Sequence, residues 1–166
     1  MIRPARPDDA PGVGAIWNPI IRDTTISFWP VERHDTEIAA LIAQRQADGH
    51  GFFVAETEGT ITGFASYGQF RAGLGYAHSL EHSIHIAPQA RGLGVGRALM
   101  EIMLDHAREG GGRIMVAGIT GWNTGSVAFH TRFGFVHWGM IPNAGWKFGT
   151  WHDLILMGLD LATPPA

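Results

Sequence analysis

The chain has 166 residues, enough for one domain with a buried core. Its formal net charge is −3, so it lacks the basic surplus typical of nucleic-acid-binding proteins. It contains no cysteine, so disulfide bonds and thiolate catalysis are excluded. Its apolar runs are far shorter than a membrane span and its first residues lack a signal-peptide pattern, so we expect a cytoplasmic protein with no nucleic-acid or membrane partner.

Hydrophobic periodicity predicts the element order βααβββαβαββ in one domain at residues 1–162, followed by a tail at 163–166. The first elements are an edge strand near Ile2, a helix that Pro19 ends or kinks, an irregular segment at 24–30, and a second helix with an inner stripe of Ile38, Leu41, Ile42 and Arg45. The others are strands at 52–56 and 61–67 joined by a Glu58-Gly59 turn, a strand near 80–86, a helix from Val95 to the glycines at 110–112, a strand at 113–119, a short helix at 123–132, and strands at 135–140 and 151–161. This order predicts an α/β fold with a mixed sheet.

A glycine-rich turn separates the strand that ends near Ile86 from the helix that begins at Val95. Glycines at 92, 94 and 96 let the backbone approach a ligand closely, and the first amides of the helix lack intrahelical partners, so the turn is a candidate phosphate site. Arg97 breaks the spacing of the dinucleotide fingerprint, and the turn closes with Gly96-Arg97-Ala98 instead of the Gly-Lys-Ser/Thr of a P-loop. The alternative is a glycine-rich turn that binds nothing.

The strand that precedes this turn contains one acidic residue, Glu81. Alternation puts Leu80, His82, Ile84 and Ile86 on one face of the strand and Glu81, Ser83 and His85 on the other. A carboxylate in an otherwise apolar strand, a few residues before a phosphate site, is a candidate general base for a reaction that deprotonates an amine. The alternative is a glutamate that faces solvent or forms an ion pair.

Several motifs together resemble those of a known enzyme family. The turn fits the pattern Gln/Arg-x-x-Gly-x-Gly/Ala in two overlapping registers, which begin at Gln89 and at Arg91. Glu81-His82-Ser83 resembles a signature of the phosphinothricin and methionine sulfoximine acetyltransferase branch of the GCN5-related N-acetyltransferases (GNAT). The resemblance covers nearly the whole chain and implies the GNAT fold, a single-domain mixed, mostly antiparallel sheet flanked by helices.

The resemblance also implies an activity, the acetyl-CoA-dependent acetylation of the α-amine of a small amino-acid-like molecule such as phosphinothricin, methionine sulfoximine or methionine sulfone. It implies Glu81 as the catalytic base and His130 as its assistant, although a helix histidine equally suits a structural hydrogen bond. The family's acetyl-CoA contacts fall on Ile84, His85, Ile86, Arg91, Gly92, Leu93, Gly94, Val95, Gly96, Asn123 and Ser126. Its substrate contacts fall on Arg71, Ala72, Gly73, Glu81, His82 and Ser83. Phe28 and Trp29 are either an apolar wall of the substrate pocket or part of a packed connecting loop.

The sequence departs from the family at positions that matter for the chemistry. His85 stands where relatives often carry tyrosine, and Phe129 leaves no tyrosine there to protonate the leaving thiolate, so we assign no general acid. Arg71 is placed to pair with a substrate carboxylate, with a solvated loop arginine as the alternative. The loop Gly73-Leu74-Gly75 is less polar than in better-known members, which weakens the assignment of one particular substrate.

Three other hypotheses concern a metal site, a different acceptor and a chain without catalytic activity. The chain contains nine histidines, but His78, His82 and His85 do not share one face of a strand, so we predict no metal site. The acceptor is alternatively a peptide N-terminus or a polyamine, or the chain is a non-catalytic acyl-CoA sensor. The family resemblance further implies a homodimer.

Overall fold

A seven-stranded sheet organises the computed structural model, which describes residues 1–162. The predicted order of elements and the predicted mixed, mostly antiparallel sheet are both confirmed, while the predicted tail at 163–166 lies outside the described residues. The elements are β1 (Ile2–Pro4), α1 (Ala10–Asp23), α2 (Asp35–Ala47), β2 (Phe52–Thr57), β3 (Thr60–Gln69), β4 (Ser79–Ile86), α3 (Val95–Glu109), β5 (Ile114–Thr120), α4 (Thr124–Thr131), β6 (Val136–Lys147) and β7 (Thr150–Asp160).

The strands lie in the order β1-β2-β3-β4-β5-β7-β6. Every neighbouring pair is antiparallel except β4 and β5, which are parallel and connected through α3. The predicted β2–β3 hairpin is confirmed, and it turns at Glu58 and Gly59, whose φ values of 49° and 76° are those of a type I′ turn. No helix among residues 1–162 has the length and apolar character needed to cross a bilayer.

Apolar side chains pack against both faces of this sheet. On one face, α3 contributes Leu99, Met100 and Met103 to a core that includes Tyr67, Leu80 and Met115. On the other face, α1 and α2 bury Val13, Ile16, Ile38 and Ile42 against Phe52, Val54 and Phe64. Because Leu80 faces α3, the next residue in β4, Glu81, faces the side of the sheet that α1 and α2 cover.

Of the two outcomes predicted at Pro19, an end of the helix is wrong, and the predicted end of the sixth strand is wrong as well; packing explains both. Helix α1 continues through Pro19 to Asp23, because Ile20 and Ile21 are buried against the core and favour continuation over the lost hydrogen bond. Strand β6 extends to Lys147 instead of ending at residue 140. It lies at the edge of the sheet, where Pro142 is tolerated and a register shift between Ile141 and Gly145 absorbs the irregularity.

Candidate active site

The parallel strands β4 and β5 separate partway along their length. They pair only from Ser79 to Glu81 on β4 and from Ile114 to Val116 on β5, although both strands continue beyond these residues. The resulting cleft contains a cavity of about 150 Å³. Its walls come from both strands, α1, the segment after α1 and α4, and they consist of Trp17, Ile26, Ser27, His82, Ser83, Ile84, His85, Ala117, Gly118, Ile119, Thr120, Asn123, Ser126 and His130.

The cleft leaves one edge of β4 without a backbone partner. Residues Ile84, His85 and Ile86 pair with β3 on one side, but β5 no longer pairs with them on the other. Because the Ala87 amide donates to Thr62 next to β3, alternation points the backbone groups of His85 toward β3 and those of Ile84 and Ile86 toward the open edge, where the Ile86 carbonyl accepts a hydrogen bond from Arg91 Nε at 3.4 Å. The amides of Ile84 and Ile86 and the Ile84 carbonyl are therefore available to an extended ligand that runs along the strand. This edge coincides with the three β4 residues at which the sequence predicts acetyl-CoA contacts.

The glycine-rich turn lies between the end of β4 and the start of α3. Gly92 and Gly94 have φ values of 77° and 82°, and a Cβ atom at either position would meet nothing within 4 Å. Gly94 is the N-cap of α3 and supplies no side-chain hydrogen bond, so the first helical amides stay available to an anion. Arg91 adds a positive charge beside this turn. The geometry of the turn fits the pyrophosphate of acetyl-CoA.

Asn123 and Ser126 lie at the start of α4, on the wall of the cleft opposite β4. Asn123 is the N-cap of α4, and its Oδ1 accepts a hydrogen bond from the Ser126 amide at 3.1 Å. Capping therefore explains the position of Asn123, and both residues line the cavity in agreement with a contact to the acetyl-CoA arm.

Glu81 lies where β4 and β5 stop pairing, at the apex of the cleft, next to the cavity but not among the residues that line it. Its carboxylate lies over Gly118 of β5. A Cβ atom added at Gly118 would be 3.2 Å from Oε1 of Glu81. Burial raises the pKa of Glu81, and the nearby charge of Arg45 opposes this increase. A carboxyl group with a raised pKa at the apex of a cleft has the properties of a general base.

His130 faces the other side of β4 from Glu81. Its Nε2 lies 3.2 Å from Nε2 of His82, and its Nδ1 donates a hydrogen bond to the Ser126 carbonyl at 2.7 Å. With Nδ1 protonated, Nε2 of His130 accepts from Nε2–H of His82. Burial lowers the pKa of both histidines, that of His82 to about 3, so the pair is neutral at physiological pH. The sequence predicted that His130 assists Glu81, but its contact in the cleft is to His82.

His85 lies on the Glu81 face, where relatives often carry tyrosine. Its ring lies 5.2 Å from Phe64 and 6.2 Å from Trp17, measured between ring centroids. Burial, together with the charge of Arg91, lowers the pKa of His85 to about 4. A neutral imidazole therefore forms this part of the cavity wall.

Hydrogen bonds from Lys147 connect the irregular segment after α1 to the β6–β7 hairpin. The side chain is only 5% exposed, and burial lowers the pKa of its ammonium group. Its Nζ donates hydrogen bonds of 2.5, 2.7 and 2.6 Å to the carbonyls of Ile21, Thr24 and Ser27. Lys147 thereby holds the segment that carries Ile26 and Ser27 against the mouth of the cavity.

The two predicted aromatic wall residues do not line the cavity. Phe28 turns away, packs against Gly145 and stacks on His152 with ring centroids 5.8 Å apart. Trp29 is 51% exposed and covers the guanidinium group of Arg33. Ile26 and Ser27 line the cavity instead. The segment has no regular alternation of polar and apolar residues, so its sequence does not show which side chains face the cavity.

The predicted substrate loop connects β3 to β4 next to Glu81. Arg71, Ala72 and Gly73 are exposed there and lie outside the cavity wall. The Arg71 guanidinium lies 5.5 Å from the centre of the Tyr76 ring, and within residues 1–162 it forms no ion pair. Gln69 braces the loop by donating hydrogen bonds to the carbonyls of Arg71 and Gly73. In the described part of the chain, no three histidine, aspartate or glutamate side chains cluster closely enough to hold a metal ion.

Comparison with known proteins shows which family this chain belongs to. A model of the acetyltransferase (GNAT) family matches residues 17–135. An L-methionine sulfoximine/L-methionine sulfone acetyltransferase from Salmonella typhimurium is 36% identical over 96% of this chain and 94% of the relative. A phosphinothricin N-acetyltransferase from Alcaligenes faecalis is 37% identical over 94% of this chain and 80% of the relative. The solved structure of the S. typhimurium acetyltransferase yncA with its cofactor acetyl-CoA has a TM-score of 0.94 and 34% identity, and the match covers 100% of this chain and 96% of that one.

Proposed function

Because this chain belongs to the acetyltransferase (GNAT) family and is an N-acetyltransferase that uses acetyl-CoA, we propose that its acceptor is the α-amine of a small amino-acid-like molecule. Methionine sulfoximine, methionine sulfone and phosphinothricin are the first candidates, since relatives named for these compounds match most of the chain. The observation that carries the proposal is the cleft between β4 and β5 with Glu81 at its apex. We also propose a cytoplasmic location, since the reaction needs a supply of acetyl-CoA.

In the proposed mechanism, acetyl-CoA supplies a thioester carbonyl, and the chain positions and deprotonates the amine that attacks it. Glu81 accepts a proton from the acceptor's ammonium group, because only the neutral amine has a lone pair. A C–N bond then forms and the C–S bond breaks, with the electron pair leaving on the thiolate. The open edge at Ile84–Ile86 offers an amide to the carbonyl oxygen as negative charge develops on it. Neither of the chain's two tyrosines lines the cavity, so we assign no general acid.

His130 remains a proposed catalytic residue, with a role that its contacts narrow. Its Nε2 meets His82 in the wall of the cavity, on the side of β4 opposite Glu81. We propose that it acts with His82 as a neutral hydrogen-bonding pair beside the reacting groups and does not take the acceptor's proton itself. Ser83 and His85 contribute the substrate-side wall next to Glu81.

The acceptor class is tested by measuring free-thiol release from acetyl-CoA with a panel of amines. The panel contains methionine sulfoximine, methionine sulfone, phosphinothricin, spermidine and a short peptide. We expect turnover with the first three compounds and none above background with the last two. Turnover confined to the peptide or to spermidine would overturn the proposed acceptor while leaving the acetyl-CoA chemistry in place.

Replacing Arg71 with methionine should raise the KM for an amino-acid-like acceptor roughly tenfold, with little change in kcat. The reason is that its guanidinium, which forms no ion pair within residues 1–162 and lies on the loop between β3 and β4, is the proposed partner of the substrate carboxylate. The corresponding acceptor without a carboxylate is the matched control, because it should react equally well with both proteins. An unchanged KM for the amino acid would remove Arg71 from the proposed site.

We further propose a homodimer that forms through the β6–β7 hairpin. This hairpin exposes a set of large apolar side chains, each at least 46% accessible to solvent: Val136, Trp138, Met140, Ile141, Trp146, Phe148 and Trp151. Trp146 and Trp151 pair across the two strands with ring centroids 4.9 Å apart. Because Met140 and Ile141 are consecutive in the pairing with β7, these side chains are shared between the two faces of the hairpin. Exposed apolar side chains in this number are typical of a protein–protein interface.

We expect light scattering after size exclusion to give twice the mass of the chain, and Trp151→Glu to give a monomer, because the substitution places a charge in the buried interface. Leu74→Glu is the control, since Leu74 is equally apolar and 96% exposed but lies on a different surface. A monomeric wild-type protein, or a Trp151→Glu protein that is still dimeric, would contradict this interface.

A further inference from the structure

Glycines flank Glu81 on the two neighbouring strands. Gly68 of β3 is its partner in the antiparallel pairing of β3 and β4. Gly118 of β5 lies beneath its carboxylate. Since directly opposed side chains in a sheet lie about 5 Å apart, a side chain at position 68 would be the nearest neighbour of Glu81 on this face. The missing side chain at Gly68 leaves room for a group from another element.

That group is the guanidinium of Arg45, which comes from the inner face of α2. A Cβ atom at Gly68 would overlap Nη1 and Cζ of Arg45. Arg45 is therefore laid over the position directly opposite Glu81. Its Nε is buried and has no hydrogen-bond partner, and within residues 1–162 the side chain forms no ion pair closer than 4 Å.

A half-buried arginine without a close partner needs a compensating charge. Burial lowers the pKa of Arg45, while the negative charges of Asp48 and Glu81 raise it. Conversely, Arg45 is the charged group that opposes the burial of Glu81. Of the other positions around Glu81, Gly68 and Gly118 have no side chain, and His85 on the same face of β4 is neutral. Arg45 is thus the charged group that acts on Glu81, while Arg45 itself is stabilised first by Asp48 on its own helix and then by Glu81.

We propose that Arg45 is a positioning residue for the reaction, and that its guanidinium, held over Gly68, keeps the Glu81 carboxylate ionised and directed toward the cleft. This inference rests on the proposed role of Glu81 as the base. Arg45 acts through Glu81 and does not itself touch the acceptor. Burial alone would favour the protonated form of Glu81, which cannot act as a base. The positive charge of Arg45 stabilises the ionised form, which can accept a proton.

The test is the pH dependence of kcat/KM for Arg45→Met, compared with Arg45→Lys and the wild type, with one acceptor throughout. Methionine keeps the apolar stem that packs under α2 but removes the charge. The loss of a positive charge makes Glu81 easier to protonate, so the acidic limb should move to higher pH. We expect the acidic limb of Arg45→Met to lie about one pH unit above that of the wild type, and the limb of Arg45→Lys to stay close to the wild-type position.

Arg113→Met is the matched control, because it removes the same charge from an exposed position at the start of β5 and should leave the limb in place. A purely structural role for Arg45 would lower activity at every pH without moving the limb. The acceptor amine has the same pKa in every variant, so its own titration cannot produce a difference between them.

A second readout does not depend on turnover. The ¹³C shift of the Glu81 carboxyl carbon, assigned with Glu81→Gln, should titrate at higher pH in Arg45→Met than in the wild type. Identical titrations and identical acidic limbs, together with an inactive Glu81→Gln protein, would overturn this inference but leave Glu81 as the base. A fully active Glu81→Gln protein would instead overturn the proposed mechanism itself.

Discussion

Replacing Glu81 with glutamine should lower kcat by about 10²- to 10³-fold while the protein still binds acetyl-CoA. Glutamine preserves the size of the side chain and its place above Gly118, but it cannot accept the proton of the acceptor's ammonium group. The loss should therefore appear in the chemical step. Steady-state kinetics with saturating acceptor, together with calorimetric titration of acetyl-CoA, separates the two effects.

The same substitution should remove the acidic limb of the wild-type pH profile that belongs to Glu81. Burial raises the pKa of this carboxyl group, and a base works only when it is deprotonated, so wild-type activity is lost as the pH falls through that pKa. Glu109→Gln is the matched control, since Glu109 is exposed at the end of α3 and far from the cleft. If both variants retain wild-type turnover, Glu81 is not the base.

Replacing Gly94 with alanine should weaken acetyl-CoA binding by about tenfold or more and raise its KM by a similar factor. Gly94 has a φ of 82° and forms the N-cap of α3, next to the amides proposed to bind pyrophosphate. Alanine strains the backbone in the left-handed region, and its methyl group projects where the phosphate must approach. Calorimetry with acetyl-CoA and with CoA measures the loss directly.

Gly49→Ala separates strain from ligand contact. Gly49 has a φ of 75° and, like Gly94, would have open space around an added Cβ atom, but it follows α2 at a distance from the cleft. Both substitutions should cost roughly 1 kcal/mol of folding stability, as seen in their unfolding midpoints. Only Gly94→Ala should lose acetyl-CoA affinity, and an equal loss in Gly49→Ala would show that strain, not the turn's contact with phosphate, is responsible.

Local features of the fold could be predicted because they depend on residues close in sequence. The alternation in β4 puts Glu81 and His82 on opposite faces, the Glu58-Gly59 pair specifies its hairpin, and the glycines before Val95 precede a helix that begins at that residue. The boundary errors at Pro19 and in β6 arise because burial of distant partners and an edge position override a local breaker.

The candidate site was predicted less completely, for a related reason. The sequence locates Glu81, the glycine-rich turn and Asn123, each of which has a local signal in its own strand, turn or helix cap. It does not reveal that Ile26 and Ser27, and not Phe28, reach the cavity, because Lys147, more than a hundred residues away, determines the path of that segment.

By itself, the sequence determined the order of elements, the two faces of β4 and the glycine-rich turn before α3, since periodicity and backbone preference act over a few residues. Only the tertiary structure decided that β4 and β5 separate after Glu81, that His130 meets His82, and that Arg45 covers Gly68. Each of these contacts joins residues far apart in the chain. Their geometry depends on strand register and on the packing of a helix over a glycine, neither of which is encoded by the residues on one side of the contact alone.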